Sequence, residues 1–186
     1  MGVFWERGFS ATSMENLVLG TGVSRGGIYA DFGGKEQLYL ACLSTYKDRF
    51  AGPAIAKLNA PGDGLAAIEA YFDHFISLHA KRGMPGPGCF IANTMTEHAP
   101  HNTLTLDIVT KHSQELKAGF LNALRAACNE SGVLIADTEL SQLAGFLVTA
   151  SQGLWSYARS ITDLSELVRF KIELLNLLRA RLSTLK

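Results

Sequence analysis

The sequence predicts an all-α fold. Three observations carry this: apolar residues recur three and four positions apart along almost the whole chain, no stretch alternates apolar and polar residues as a half-buried strand does, and glycine or proline clusters punctuate the periodic runs. A length of 186 residues with 47% apolar side chains suits one compact fold or two small cooperating ones with a well-buried core. The formal net charge is zero, so the chain has no overall attraction for polyanions and any electrostatic footprint is local.

At the N-terminal end, Thr12 precedes a short apolar run and Glu15 follows three residues later, which predicts a capping box and a helix from Ser13. Met14, Leu17 and Val18 form its stripe, and Gly20-Thr21-Gly22 supplies residues suited to a tight turn. Ser24 then caps a second helix, Arg25 to Asp31, with Ile28 and Phe32 turned toward the first helix and Arg25, Gly26, Gly27 and Tyr29 turned outward. Gly33-Gly34 ends it. A third helix opens at Lys35-Glu36 with Leu38, Tyr39, Cys42, Leu43, Tyr46 and Phe50 as its apolar face. Two short helices joined by a glycine turn, the second presenting its N-terminal residues outward, make a helix-turn-helix of the kind that sets a recognition helix in a DNA groove.

Downstream, Pro53 and the run Asn59 to Gly64 bend or end the long helix, and Leu65, Ile68, Phe72, Phe75, Ile76 and His79 mark the inner stripe of the next. Gly83 to Gly88 reads as a stiff loop. A short helix from Cys89 stops before Pro100, and a longer one carries Ile108, Val109, His112, Leu116, Phe120, Leu124 and Ala127 up to Gly132. The next is capped near Asp137 or Thr138 and bears Leu140, Leu143, Ala144, Leu147, Val148, Ser151, Leu154 and Trp155. The last runs from about Leu164 to Leu185.

The ordered set Gly8-Phe9, Thr12-Ser13, Gly22-Val23-Ser24, Gly26, Tyr29, Phe32, Lys35-Glu36 and Leu38 resembles the DNA-binding half of the tetracycline-repressor (TetR) family of bacterial transcriptional regulators. The resemblance implies a helix-turn-helix domain over residues 1–46 and a helical ligand-binding and dimerisation domain over 47–186. It also implies that Thr12, Tyr29 and Lys35 hold phosphates while Ser24, Arg25, Gly26 and Gly27 lie nearest base edges; phosphate contacts position and base contacts specify. In this family the first helix begins well before the Gly-Phe pair, whereas only Gly2 to Arg7 precede it here, so the first helix is expected to be shortened or to lack its start. From Met1 to Phe50, Arg7, Arg25, Lys35, Lys47 and Arg49 are balanced by Glu6, Glu15, Asp31, Glu36 and Asp48, and Asp31 would oppose a nearby phosphate.

The last helix is apolar on more than one face: Leu167, Val168, Leu174, Leu175, Leu178, Leu182 and Leu185 form one stripe, and Phe170, Ile172 and Leu177 widen it. The helix before it offers Ala144, Gly145, Ala150, Ser151 and Gly153, where a partner backbone can approach. A homodimer through these two helices is expected, and the resemblance implies the same four-helix interface and a near-palindromic double-stranded operator. The resemblance also implies a small apolar or aromatic inducer of unknown identity; Phe72, Phe75, Phe90, Asn93, Met95, Phe120 and Trp155 are the candidate lining, with Asn93 and Glu97 as polar contacts to it or as interhelical bonds. Family habit adds repression. A different reading is a helical dimerisation partner whose DNA binding is weakened or lost.

An enzyme is not expected. Glu97, His98 and His101 straddle Pro100 and cannot form the same-face pair of a helical zinc site, and neither Cys-x-x-Cys nor His-Glu-x-x-His occurs, so neither metal nor cofactor is expected. His98 and His101 read as loop polar groups and His112 as a hydrogen-bonded residue on an inner stripe. Cys42, Cys89 and Cys128, odd in number and widely spaced, suit reduced thiols of a cytoplasmic protein. No secretory signal or membrane span is expected, because charges interrupt every long apolar stretch.

Overall fold

A computed structural model describes residues 1–183, and those residues form ten α-helices with no strand. Leu185, placed by the sequence on the last stripe, lies outside the described residues. In chain order the helices are α1 (Gly2–Arg7), α2 (Met14–Thr21), α3 (Arg25–Phe32), α4 (Lys35–Tyr46), α5 (Gly52–Leu58), α6 (Gly64–Arg82), α7 (Phe90–Glu97), α8 (Thr103–Ser131), α9 (Asp137–Tyr157) and α10 (Ser165–Ser183). A π turn, Lys47–Ala51, follows α4, and a single 3-10 turn, Ala99–His101, follows α7. None of these helices is long and apolar enough to cross a membrane.

Two compact units result. One comprises Met1–Ala51 and Cys89–Thr110, the other Gly52–Gly88 and Lys111–Lys186. The first unit thus takes in the chain as far as Ala51 together with α7. Aromatic packing explains the recruitment. Phe90 meets Tyr39 and Tyr46 edge-on at centroid distances of 5.4 and 5.8 Å, and the Tyr39 hydroxyl lies 2.7 Å from Thr94 Oγ1. Because Thr94 Oγ1 donates to the Phe90 carbonyl, Tyr39 is the donor in that pair. Burial drives the Tyr39 pKa up to about 12, so the phenol keeps its proton.

In the second unit, α6 buries Ile68, Phe72, Phe75, Ile76 and His79 of the predicted stripe; Leu65 of that stripe is half-buried, and Tyr71, outside it, is buried as well. Asp63 caps its start by accepting from the N–H groups of Leu65 and Ala66. Its first residue must be glycine, since a Cβ at Gly64 would collide with the backbone carbonyl of Ala123 on α8. Lys171 on α10 ties that helix to α6 through Glu69 and Asp73, at 3.0 and 2.7 Å. The α9 start differs slightly from expectation: Ala136 occupies the cap position and gives no side-chain bond, so Asp137 opens the helix instead of capping it.

Candidate nucleic-acid interface

The N-terminal helices are built by caps and glycines. Gly22 (φ 71°) and Gly33 (φ 80°) end α2 and α3 in the left-handed conformation, where a Cβ is penalised. The α2 cap sits one residue later than the sequence spacing suggests. Ser13 Oγ accepts from the Asn16 N–H while Asn16 Oδ1 accepts from the Ser13 N–H, closing a reciprocal box without Glu15. Thr12 is not available for that role because its side chain is turned inside, donating to the Gly8 carbonyl at 2.6 Å. The same burial removes its hydroxyl from the phosphate-holding set; Ser13, beside it, is exposed.

The α3 helix carries the outward face. Ser24 Oγ accepts from the Gly27 N–H at 3.1 Å, as a cap at this position should. A Cβ on Gly26 would meet Ser24 Oγ at an easy 4.0 Å, whereas one on Gly27 would press Val23 Cγ1 at 3.0 Å. Consecutive glycines thus leave the first turn of α3, at the positive end of the helix dipole, poor in side chains. Arg25 extends from this turn, its guanidinium 5.9 Å from the centre of the Tyr29 ring and 3.9 Å from Glu15. Tyr29 is 48% exposed, and Asp31 is exposed further along. Only Ile28 of α3 is buried; Phe32, expected inside, is the last residue of the helix and is 40% exposed.

Lys35 has an internal partner. Its Nζ donates to the Thr12 carbonyl at 2.7 Å and sits 4.2 Å from the centre of the Phe9 ring. That bond locks the start of α4 to the strap before α2, which makes Lys35 a positioning residue for the reader as well as a nearby cation. The sequence motif gave no sign of this double role, since it needs Phe9 and Thr12 folded beneath the ammonium.

Glu97, expected as a polar contact to a ligand or in interhelical bonds, lies at the end of α7 and ties that helix to the turn before α2. Its carboxylate accepts from the N–H groups of Phe9 (3.1 Å) and Ser10 (2.8 Å), gripping the turn between α1 and α2. Gly8 at φ 81° passes so close to that carboxylate that any Cβ would collide with it. Next to it His98, expected as a loop polar group, is buried and stacks on Phe9 at 3.9 Å. Burial lowers its pKa, against the opposing pull of Glu36 and Glu97. Asn102 completes the attachment by donating to Glu36 Oε1 at 2.6 Å.

The candidate ligand residues divide between the units. Phe72, Phe75, Phe120 and Trp155 form one aromatic group in the second unit, with Phe72 6.3 Å from Phe120 and 6.0 Å from Trp155, and Phe75 5.0 Å from Trp155. Phe90, Asn93 and Met95 lie on α7 in the first unit, where Phe90 serves the Tyr39–Tyr46 core and Asn93 is buried. Of the small residues expected at a helix partner, Ala144 and Ser151 are buried inside the unit and Gly153 is exposed. The outward apolar groups on α9 and α10 include Phe146 (53% exposed), Ile172 (46%) and Leu177 (64%), with Tyr157 at the end of α9.

Comparison with known proteins accounts for this architecture. Residues 1–42 match the family model for bacterial regulatory proteins of the tetR family, and residues 64–172 match that for the tetracyclin repressor-like C-terminal domain. The chain is 26% identical over 165 residues to the uncharacterized HTH-type transcriptional regulator YezE of Bacillus subtilis, covering 89% of this chain and 84% of that protein. It is 29% identical over 171 residues to the HTH-type transcriptional repressor ComR of Escherichia coli, covering 91% and 80%. Among solved structures, a TetR family regulator from Agrobacterium tumefaciens superposes with a TM-score of 0.80 at 19% identity, over 94% of this chain and 90% of its own. The regulator CifR, solved in complex with 26-bp double-strand operator DNA, gives 0.79 at 22% identity with the same coverage. With family models covering both its helix-turn-helix and its C-terminal helices, the chain belongs to the TetR family of DNA-binding transcriptional regulators.

Proposed function

We propose that this protein is a ligand-responsive transcriptional repressor, a homodimer whose two α3 helices read a near-palindromic operator. The observation that carries the reading is the exposed, side-chain-poor first turn of α3, with Ser24, Arg25, Gly26 and Gly27 facing outward over a buttressed base. Arg25 and the backbone at Gly26 and Gly27 meet base edges, while Tyr29 and the ammonium of Lys35 lie toward phosphate. Operator binding by CifR and the repressor designation of ComR support the assignment.

Phe146, Ile172 and Leu177 give α9 and α10 an apolar outer face that a second copy would cover, each Å² of apolar surface removed from water contributing about 25 cal/mol before association costs. Twofold pairing sets the two α3 helices one DNA turn apart, roughly 34 Å. A small apolar or aromatic molecule that prefers the shape with splayed readers lowers operator affinity by the ratio of its affinities for the two shapes.

Selection of bound sequences from random duplex DNA tests the reading. A recovered palindrome with half-sites one turn apart is expected, and no enriched sequence would overturn it in favour of a dimerisation partner without operator binding. That second reading draws on Asp31, exposed on α3, and on Glu15, which offsets Arg25. Light scattering on the Leu177→Glu variant is expected to give a monomer where the unaltered chain gives a dimer.

A further inference from the structure

Inside the second unit, His79 of α6 and Trp155 of α9 stack nearly parallel, 16° between planes and 5.7 Å between centroids. They are 4% and 1% exposed. Each leaves a polar atom with no hydrogen-bond partner: Nε2 of His79 and Nε1 of Trp155. Buried polar atoms are nearly always paired, so two orphans in one stack call for an explanation.

The chemistry of each atom is fixed. His79 Nδ1 lies 2.9 Å from the Phe75 carbonyl, which only accepts, so Nδ1 carries the proton and Nε2 is left as an acceptor. Burial also lowers the pKa of His79, which keeps the ring neutral. The indole N–H of Trp155 only donates. One stack therefore presents one donor and one acceptor, beside the Phe72 and Phe75 rings. The Gly83–Gly88 loop passes over the acceptor edge, and Gly86 puts no side chain there: a Cβ on it would stand 3.1 Å from His79 Cδ2 and 3.8 Å from Nε2.

We propose that the His79–Trp155 stack is the polar anchor of a binding site for a small hydroxyl-bearing aromatic molecule of the phenol class. Its hydroxyl accepts from Trp155 Nε1 and donates to His79 Nε2, and its ring lies against Phe72 and Phe75. A hydrocarbon leaves both atoms orphaned, and a carboxylate has no proton for Nε2. The site deepens the ligand-responsive reading and rests on it for its biological role.

Calorimetry of the full chain with phenol, toluene and benzoate tests the site. Phenol is expected to bind about 100-fold more tightly than toluene, since a site built around a hydroxyl rejects its isostere strongly. Trp155→Phe keeps an aromatic ring and removes the donor; His79→Asn keeps a donor for the Phe75 carbonyl and removes the Nε2 acceptor. Each is expected to weaken phenol about tenfold more than it weakens toluene, so that the phenol-to-toluene preference falls about tenfold. Equal binding of phenol and toluene by the unaltered chain, or no phenol binding because a water alone bridges the stack, overturns the site whether or not the variants fold. Operator release separates the two readings. Selective phenol binding without release upholds the site and refutes the switch, whereas release by toluene as effective as by phenol refutes the site and upholds the switch.

Discussion

The α1–α2 turn and the His79–Trp155 stack both set polar atoms among aromatic rings, one in each compact unit; the backbone groups of the turn are bonded, although Nε2 of His98 beside it is not, whereas the stack leaves a nitrogen of each ring without a partner. At the turn, the N–H groups of Phe9 and Ser10 go to Glu97, the Thr12 hydroxyl goes to Gly8, and the Thr12 carbonyl receives Lys35. In the stack, the indole N–H and the free imidazole nitrogen go to nothing within the protein. Filled hydrogen bonds fix a reading head in one geometry, whereas unfilled ones hold a cost that an arriving molecule relieves.

The comparison breaks most severely when the aromatic bed is removed. Phe90→Ala in the first unit and Phe120→Ala in the second are each expected to cost about 3–5 kcal/mol, measured by denaturant unfolding, because both side chains are fully buried. Next is the clamp. Glu97→Ala is expected to cost about 1–3 kcal/mol and to weaken operator binding, since it orphans the Phe9 N–H and releases the turn under α2; Glu97→Gln, which retains an acceptor, should recover part of both.

Acid sharpens the contrast further. Burial lowers the pKa of both His79 and His98 below the ordinary 6.5. The unfolded chain then takes up protons first as pH falls, so stability is complete above about 6.5 and declines as pH drops below it. Thermal melting between pH 7.5 and 5.5, compared with His79→Asn and with His98→Phe, should show each variant flattening its share of that decline. For His98, the facing Glu36, Glu97, His101 and Lys35 shape the curve.

The smallest stability effect belongs to the surface of the reader. Arg25→Ala should change melting hardly at all, because its pairing with Glu15 is exposed and long at 3.9 Å. Its effect should appear in DNA binding instead, as a loss of about 1–3 kcal/mol with relaxed base preference in a mobility-shift titration. A uniform loss across sequences, with the salt slope reduced by about one, would move Arg25 to the phosphate-holding group.

The helix-turn-helix and the order of helices were legible along the chain, because Ser24, Gly22 and Gly33 act within one or two turns and the apolar stripes of α6 and α8 repeat at helical spacing. Local chemistry suffices there. Tertiary structure decided what depends on partners far apart in sequence: that Thr12 turns inward, that Lys35 bonds a backbone carbonyl, that α7 joins the reader through Glu97 and Phe90, and that His79 meets Trp155. Periodicity tells which face of a helix is buried. It carries no information on which distant residue will lie against that face, and hydrogen bonding and ring packing are settled by that neighbour.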